Sequence, residues 1–279
     1  MRYAICNETW QKVPFPEVCQ RAAAAGYSGL ELAPFTLKDD PRKLGEADAI
    51  ALTRVARDHG LEILGLHWLL TCPSWFHITT PDALLRQETL RFAQHLARFC
   101  AMLGGKIMVW GSPRARSLQL EWQYEDAFQR AAELLHGVAE EAGKYGVTIA
   151  MEPLAKKETN FLNTAAETVR FCQAVGHPAC KLHLDVKAMS DEDKPIPQII
   201  AESKDWMVHF HANDPNLLGP GMGQVAFEPI LQALYNKGYK DWLSVEVFDY
   251  SPGADVIAEK SIHYLQEVMQ RIKKSKETT

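Results

Sequence analysis

A chain of 279 residues, 47% of them hydrophobic, is too long to rest on disulfide staples and too apolar to stay disordered; it can bury one large core or two small ones. Its 30 Lys and Arg stand against 35 Asp and Glu, a formal net charge of −5, which argues against a nucleic-acid partner, since that kind of binding runs on a basic face and counterion release. The first residues, MRYAICNETW, show no basic stretch, apolar run or cleavage site, and no segment reaches the roughly 18 consecutive apolar residues of a membrane span, so a cytoplasmic protein without a membrane partner is expected.

A first strand is expected over 3–7. A helix follows, opened by Pro16 and closed by Gly26, the usual Pro-start and Gly-stop asymmetry. Next come a strand over 30–33, a helix over 47–59 stopped by Gly60, and a strand over 62–68. Thr80, Pro81 and Asp82 open a long helix to about 103, ended by Gly104 and Gly105. A strand over 106–110, a helix over 125–145 and a strand over 147–152 follow. Thr164 with Glu167 forms a capping box, so a helix runs from there to Gly176. The remainder reads as a strand over 181–185, a short helix over 197–203, a strand over 206–211, a Gly/Pro-rich loop over 219–223, a helix over 228–237, a strand over 242–247 and a last helix over 254–273. The polar tail from about 274 is expected to fray. Cys6, Cys19, Cys72, Cys100, Cys172 and Cys180 are scattered without a C-x-x-C pair and read as reduced, buried thiols.

Alternating strands and helices argue for a parallel sheet with helical crossovers. Eight such units over 1–279 predict an α/β fold, a single-domain (β/α)8 TIM barrel with no sequence to spare for a second domain. The alternative, a doubly wound open sheet, would show a Gly-rich fingerprint after the first strand, and residues 6–10 carry none.

Side chains alternate faces along a strand. On the last four strands one face is apolar throughout, whereas the other ends in Glu152, Asp185, His211 and Glu246. In a barrel that second face is the interior, and these residues sit at the C-terminal mouth, where barrel active sites lie. Three converging carboxylates repel one another, and a divalent cation is the simplest compensation. Three oxygen donors and one imidazole suit Mn²⁺, the first expectation, or Mg²⁺ or Co²⁺, better than a thiolate-rich zinc site. His183 and His209 lie two residues earlier on the same faces and read as satisfied interior histidines that orient the ligands from one layer below.

GLEL at 29–32, GVTIAMEPLAKKETNFLNT at 146–164, LHLDVKAM at 182–189, HFHAND at 209–214 and SVEVF at 244–248 together resemble the xylose-isomerase-like sugar isomerase/epimerase superfamily, and within it most closely the ketose 3-epimerase (D-tagatose/D-psicose 3-epimerase) branch. The resemblance covers essentially the whole chain and implies that Glu152, Asp185, His211 and Glu246 are metal ligands, that Glu152 and Glu246 are also the acid/base pair, and that Glu158 contacts substrate. It also implies a homodimer or homotetramer. The sequence departs from the branch at two places: Ala188 stands where the epimerases carry histidine, and Leu217 where they carry arginine. Both normally contact the carbonyl end of the sugar. Lys187 could partly substitute, though parity points it outward if the strand continues.

Glu31, His67, Trp68 and Trp110, at strand ends of the same mouth, are further substrate-binding candidates, the tryptophans by stacking on a sugar face. Asn7 and Trp10 could close that side. Arg114 and Arg116 read as a solvated loop, and the 219–223 glycines as a turn-rich loop rather than a phosphate fingerprint. The resulting expectation is a divalent-metal-dependent isomerase or epimerase of a sugar or polyol ketone. Proton abstraction and return beside the carbonyl would pass through an enediolate. The runner-up is a lyase on the same centre, an inosose-type or dehydroshikimate-type dehydratase or an elimination on a 3-keto glycoside. An abasic-DNA endonuclease needs more histidines and a basic groove, and a non-catalytic scaffold barrel need not keep three converging acids.

Overall fold

The computed structural model describes residues 1–203 and 205–277. The strands are β1 (Arg2–Cys6), β2 (Gly29–Leu32), β3 (Glu62–Leu66), β4 (Ile107–Trp110), β5 (Thr148–Met151), β6 (Cys180–Asp185), β7 (Met207–Ala212) and β8 (Trp242–Val245). Each pairs in parallel with the next, and β1 pairs with β8, so the sheet closes into a barrel. The helices are α1 (Phe15–Ala25), α2 (Pro34–Leu37), α3 (Glu46–Asp58), α4 (Ala83–Met102), α5 (Tyr124–Lys144), α6 (Ala165–Val175), α7 (Val186–Met189), α8 (Ile196–Glu202), α9 (Phe227–Asn236) and α10 (Ala254–Glu277). The expected (β/α)8 barrel is therefore what the chain forms.

The punctuation acts locally as the sequence suggests. Gly26 takes φ 103° at the end of α1 and returns its N–H to the Ala22 and Ala23 carbonyls. Asp82 caps α4 by accepting from the Leu84 and Leu85 N–H groups. Thr164 Oγ1 accepts from Glu167 N at 3.1 Å, but the Glu167 carboxylate reaches one residue beyond the cap, to Asn163 N at 2.8 Å. The last helix continues past Lys273 to Glu277; residues 278–279, the end of the tail expected to fray, lie outside the described residues.

The apolar strand faces pack outward against the helices: Leu182, Leu184, Phe210, Leu243 and Val245 are all fully buried. The opposite faces fill the barrel with polar groups. A register shift after Leu182 sets His183 level with His209 and Asp185 level with His211. Several strands stop short of their expected ends, so that Asn7, Glu152 and Glu246 stand just beyond β1, β5 and β8. That places them at the mouth, where the Glu152 and Glu246 N–H groups still reach the Trp110 and Ala212 carbonyls at 3.3 and 3.4 Å. All six cysteines are free; five are buried as expected, Cys72 is only half-buried, and the Cys180 thiol donates to Cys172 Sγ at 3.8 Å without a disulfide. Among the described residues no helix is long and apolar enough to cross a membrane.

Candidate active site

Glu152 extends from β5 into a small, partly open cavity, which Glu246 enters from β8. Asp185 and His211 lie beneath them, fully buried. Asp185 Oδ1 accepts the Ala188 N–H at 2.8 Å and Oδ2 accepts from the Asn213 side-chain amide. This carboxylate therefore caps α7, the helical turn into which the chain winds directly after β6. His211 Nε2 meets Glu31 Oε2 at 3.1 Å, and its Nδ1 lies 3.1 Å from Glu246 Oε2. If Nε2–H donates to Glu31, the Nδ1 lone pair faces the carboxylates, as in a ligand imidazole oriented by a carboxylate.

Glu246 is held on two further sides. Trp68 Nε1 donates to its Oε1 at 3.0 Å, and His67 Nδ1 lies 3.2 Å from the same oxygen. His67 Nε2 stands 2.9 Å from Glu8 Oε2, an ion-pair distance whose angle falls short of hydrogen-bond alignment, so those atoms have no hydrogen-bond partner. Burial pushes the Glu8 carboxyl up. Burial also opposes charging of His67, but Glu8 and Glu246 hold it well above the usual histidine range.

The acidic cluster has the electrostatics of a cation site. Burial, then the charges of Asp185 and Glu246, push Glu152 well above the carboxylate range. Burial likewise raises Asp185, with Glu246 adding to it. Glu246 itself is held low: burial opposes this, and the imidazoles of His211 and His67 outweigh it. Donor atoms of Glu152, His183, Asp185 and His211 all lie within 4.8 Å of one another. Hard carboxylate oxygens with imidazole nitrogen, crowded until one acid is driven toward its neutral form, fit a divalent cation.

Gly111 makes room for Glu152. A Cβ at that position would stand 1.7 Å from Glu152 Oε2. Arg116 braces the same acid from behind: its guanidinium donates to the Glu152 and Trp110 carbonyls at 2.7 Å each and ties the ends of β4 and β5 together. Burial lowers its pKa to about 10.

The remaining predicted residues divide between the cavity and its foundations. His67, Trp68 and Glu158 line the cavity. Glu31 and Trp110, expected to meet substrate, do not. Glu31 is fully buried below His211, with its carboxylate on His209 Nε2 at 2.8 Å and on His211. Trp110 is also buried in the core and presents only its backbone carbonyl, to Arg116. His209 shares the Glu31 carboxylate with His211. His183 is not a satisfied histidine: among the described residues neither ring nitrogen has a partner, which costs about 1–3 kcal/mol per buried group. Burial and the His211 charge keep this ring neutral.

Three parts of the site escape strand parity. Lys187, expected to point outward, turns inward because β6 ends at Asp185 and α7 begins. Its ammonium meets Glu158 Oε1 at 2.6 Å and lies 4.7 Å from the Phe248 ring centre. Burial disfavours this cation, but Asp185 and Glu158 hold it above the usual lysine range. Arg116, read as part of a solvated loop, is fully buried, whereas Arg114 is exposed as expected. Glu8 sits in a short 3-10 turn over Asn7–Thr9, where alternation gives no signal. Ala188 carries only a methyl, and Leu217 is partly exposed and forms no part of the cavity wall. The glycine loop after β7 is a turn held by Asp214, which accepts from Val225 N at 2.8 Å.

A second cleft shares Trp68 and Phe248 with the cavity as a common wall and is lined further by Trp10, Phe15, Phe35 and Tyr250.

Known proteins share this architecture and part of this sequence. The backbone superposes with a TM-score of 0.86 on a structure of L-ribulose 3-epimerase, at 22% identity over 99% of this chain and 97% of that one. It superposes at 0.83 on 3-keto-D-glucoside 4-epimerase from E. coli, at 17% identity over 96% and 99%. In sequence, the chain is 28% identical over 221 residues to an L-ribulose 3-epimerase of Mesorhizobium japonicum, a match covering 79% of this chain and 72% of that protein. Residues 19–268 match the model of the xylose isomerase-like TIM barrel, and the chain belongs to that family.

Proposed function

We propose that this protein is a divalent-metal-dependent epimerase or isomerase of a sugar ketone, with Glu152 and Glu246 as its proton-transfer pair. The observation that carries this reading is the arrival of these two carboxylates in one cavity from β5 and β8, over the buried Asp185 and His211. The names of the relatives, L-ribulose 3-epimerase among them, agree with it. Glu152, Asp185, His211 and Glu246 would hold the cation, Mn²⁺ first and Mg²⁺ or Co²⁺ otherwise. Bound there, it would polarise a substrate carbonyl and acidify the neighbouring carbon.

The chain's own residues supply the rest. Trp68 and His67 fix the Glu246 carboxylate, and Gly111 and Arg116 fix Glu152. One carboxylate removes the proton beside the carbonyl and the other returns one to the opposite face. Lys187, Glu158, His67 and Trp68 face the substrate's oxygens and carbon skeleton from the cavity wall. The test is incubation of the metal-loaded protein with a panel of ketoses in D₂O. Deuterium on the carbon next to the carbonyl is expected for at least one sugar, and no incorporation with any would overturn proton-transfer isomerisation.

Two observations favour a lyase as the second reading. Lys187 places an ammonium in the cavity beside Ala188, where it can protonate a departing oxygen. The aromatic cleft beyond Trp68 and Phe248 has room for a substituent on the sugar, such as the aglycone of a 3-keto glycoside. Appearance of an enone absorbance or of free aglycone, in place of an epimer, would select this reading.

A further inference from the structure

We propose that His183 is an additional ligand of the divalent cation, reaching it from the barrel floor beside Glu152, Asp185 and His211, and that this second imidazole biases the site toward Co²⁺, Fe²⁺ or Zn²⁺ over Mg²⁺. The inference rests on the reading that this cluster holds a divalent cation.

The neighbouring histidines are committed. His209 Nε2 bonds Glu31, and His211 bonds Glu31 and Glu246 through its two nitrogens. His183 is equally buried, and among the described residues both of its nitrogens lack a partner. His183 lies two residues before Asp185 on β6 and so shares its inner face, level with His209. One of its nitrogens falls within 4.8 Å of donor atoms on Glu152, Asp185 and His211, and its ring lies 4.2 Å from that of His211, edge to face. A buried imidazole whose two nitrogens have no partner, set among three such donors, is a ligand in waiting. A separate ion among His183, His209 and His211 would have to displace Glu31 from two imidazoles at once, so the geometry favours one ion per chain. Imidazole donors raise affinity for the later divalent metals and contribute little to Mg²⁺, which prefers oxygen ligands and retained water.

The test uses the full chain loaded with Co²⁺. Elemental analysis is expected to give one ion per chain, and X-ray absorption of that ion to show two imidazoles. His183→Leu, shown by circular dichroism to be folded, is expected to lose about 10- to 100-fold in Co²⁺ affinity, while Mg²⁺ affinity shifts less than about threefold. A single imidazole on the wild-type ion overturns the proposal, and so does an unchanged Co²⁺/Mg²⁺ preference in the folded variant. If that variant does not fold, the wild-type imidazole count decides. A wild-type protein that binds no cation overturns the metal reading itself, a result distinct from one ion with one imidazole, which overturns only the role of His183.

Discussion

Trp68 donates its indole N–H to Glu246 Oε1 at 3.0 Å from a left-handed backbone, φ 51°. A bulky residue at positive φ is strained and is held by its surroundings. Here the strained backbone delivers a donor to the carboxylate proposed to move the proton. A hydrogen bond to a charged group contributes about 1.5–3 kcal/mol, so Trp68→Phe, which keeps an aromatic wall, should lower kcat about 10- to 100-fold. Metal content should not change. Steady-state kinetics with elemental analysis checks both.

Gly111→Ala tests how closely Glu152 must be placed. The new Cβ would fall 1.7 Å from Glu152 Oε2, so the carboxylate must move. Displacement by about 1 Å costs on the order of 100-fold in rate, and that loss is expected with the thermal midpoint nearly unchanged.

Lys187→Met removes the ammonium that Glu158 meets at 2.6 Å. The Glu158 side chain keeps 25% of its surface in solvent, so the stranded carboxylate can hydrate. The stability cost should be about 1–2 kcal/mol rather than the 3–5 of a fully buried pair. Turnover should fall at least about 100-fold, with Lys187→Arg failing to restore it because the planar fork does not fit a point-charge site. Denaturant titration and kcat/KM separate the two effects.

His77 and His95 give the fold a pH dependence away from the site. Burial lowers both below the usual 6.5, and His77 Nδ1 accepts the Thr79 N–H at 3.3 Å, a role open only to the neutral ring. Below about pH 6.5 the unfolded chain takes up protons that these native rings do not, so stability falls as pH falls, until the lower folded values are passed. His77→Gln should flatten that slope in urea titrations between about pH 5 and 6.5.

Much of this site can be read from strand parity. Glu152, Asp185, His211 and Glu246 lie on the inner face of four consecutive strands by parity, although only Asp185 and His211 are level and Glu246 stands two residues beyond Ser244, the partner of His211. What parity cannot reach is whatever follows the last strand residue. Lys187 is inward because Asp185 winds the next turn on its own carboxylate, and the end of the strand at 185 does not by itself show which way the following turn carries its side chains. Arg116 is buried because two backbone carbonyls receive it, and no side-chain pattern records a carbonyl. Glu31 lies on the right face but too deep, its carboxylate taken up by two histidines that are distant in sequence.

The most direct test of the central claim, two carboxylates serving opposite faces of one carbon, is solvent deuterium exchange by Glu152→Gln and Glu246→Gln with each epimer separately. Each variant should retain exchange with one epimer, a different one for each variant, and interconvert neither. Exchange with the same epimer in both variants, or continued interconversion in either, would contradict it.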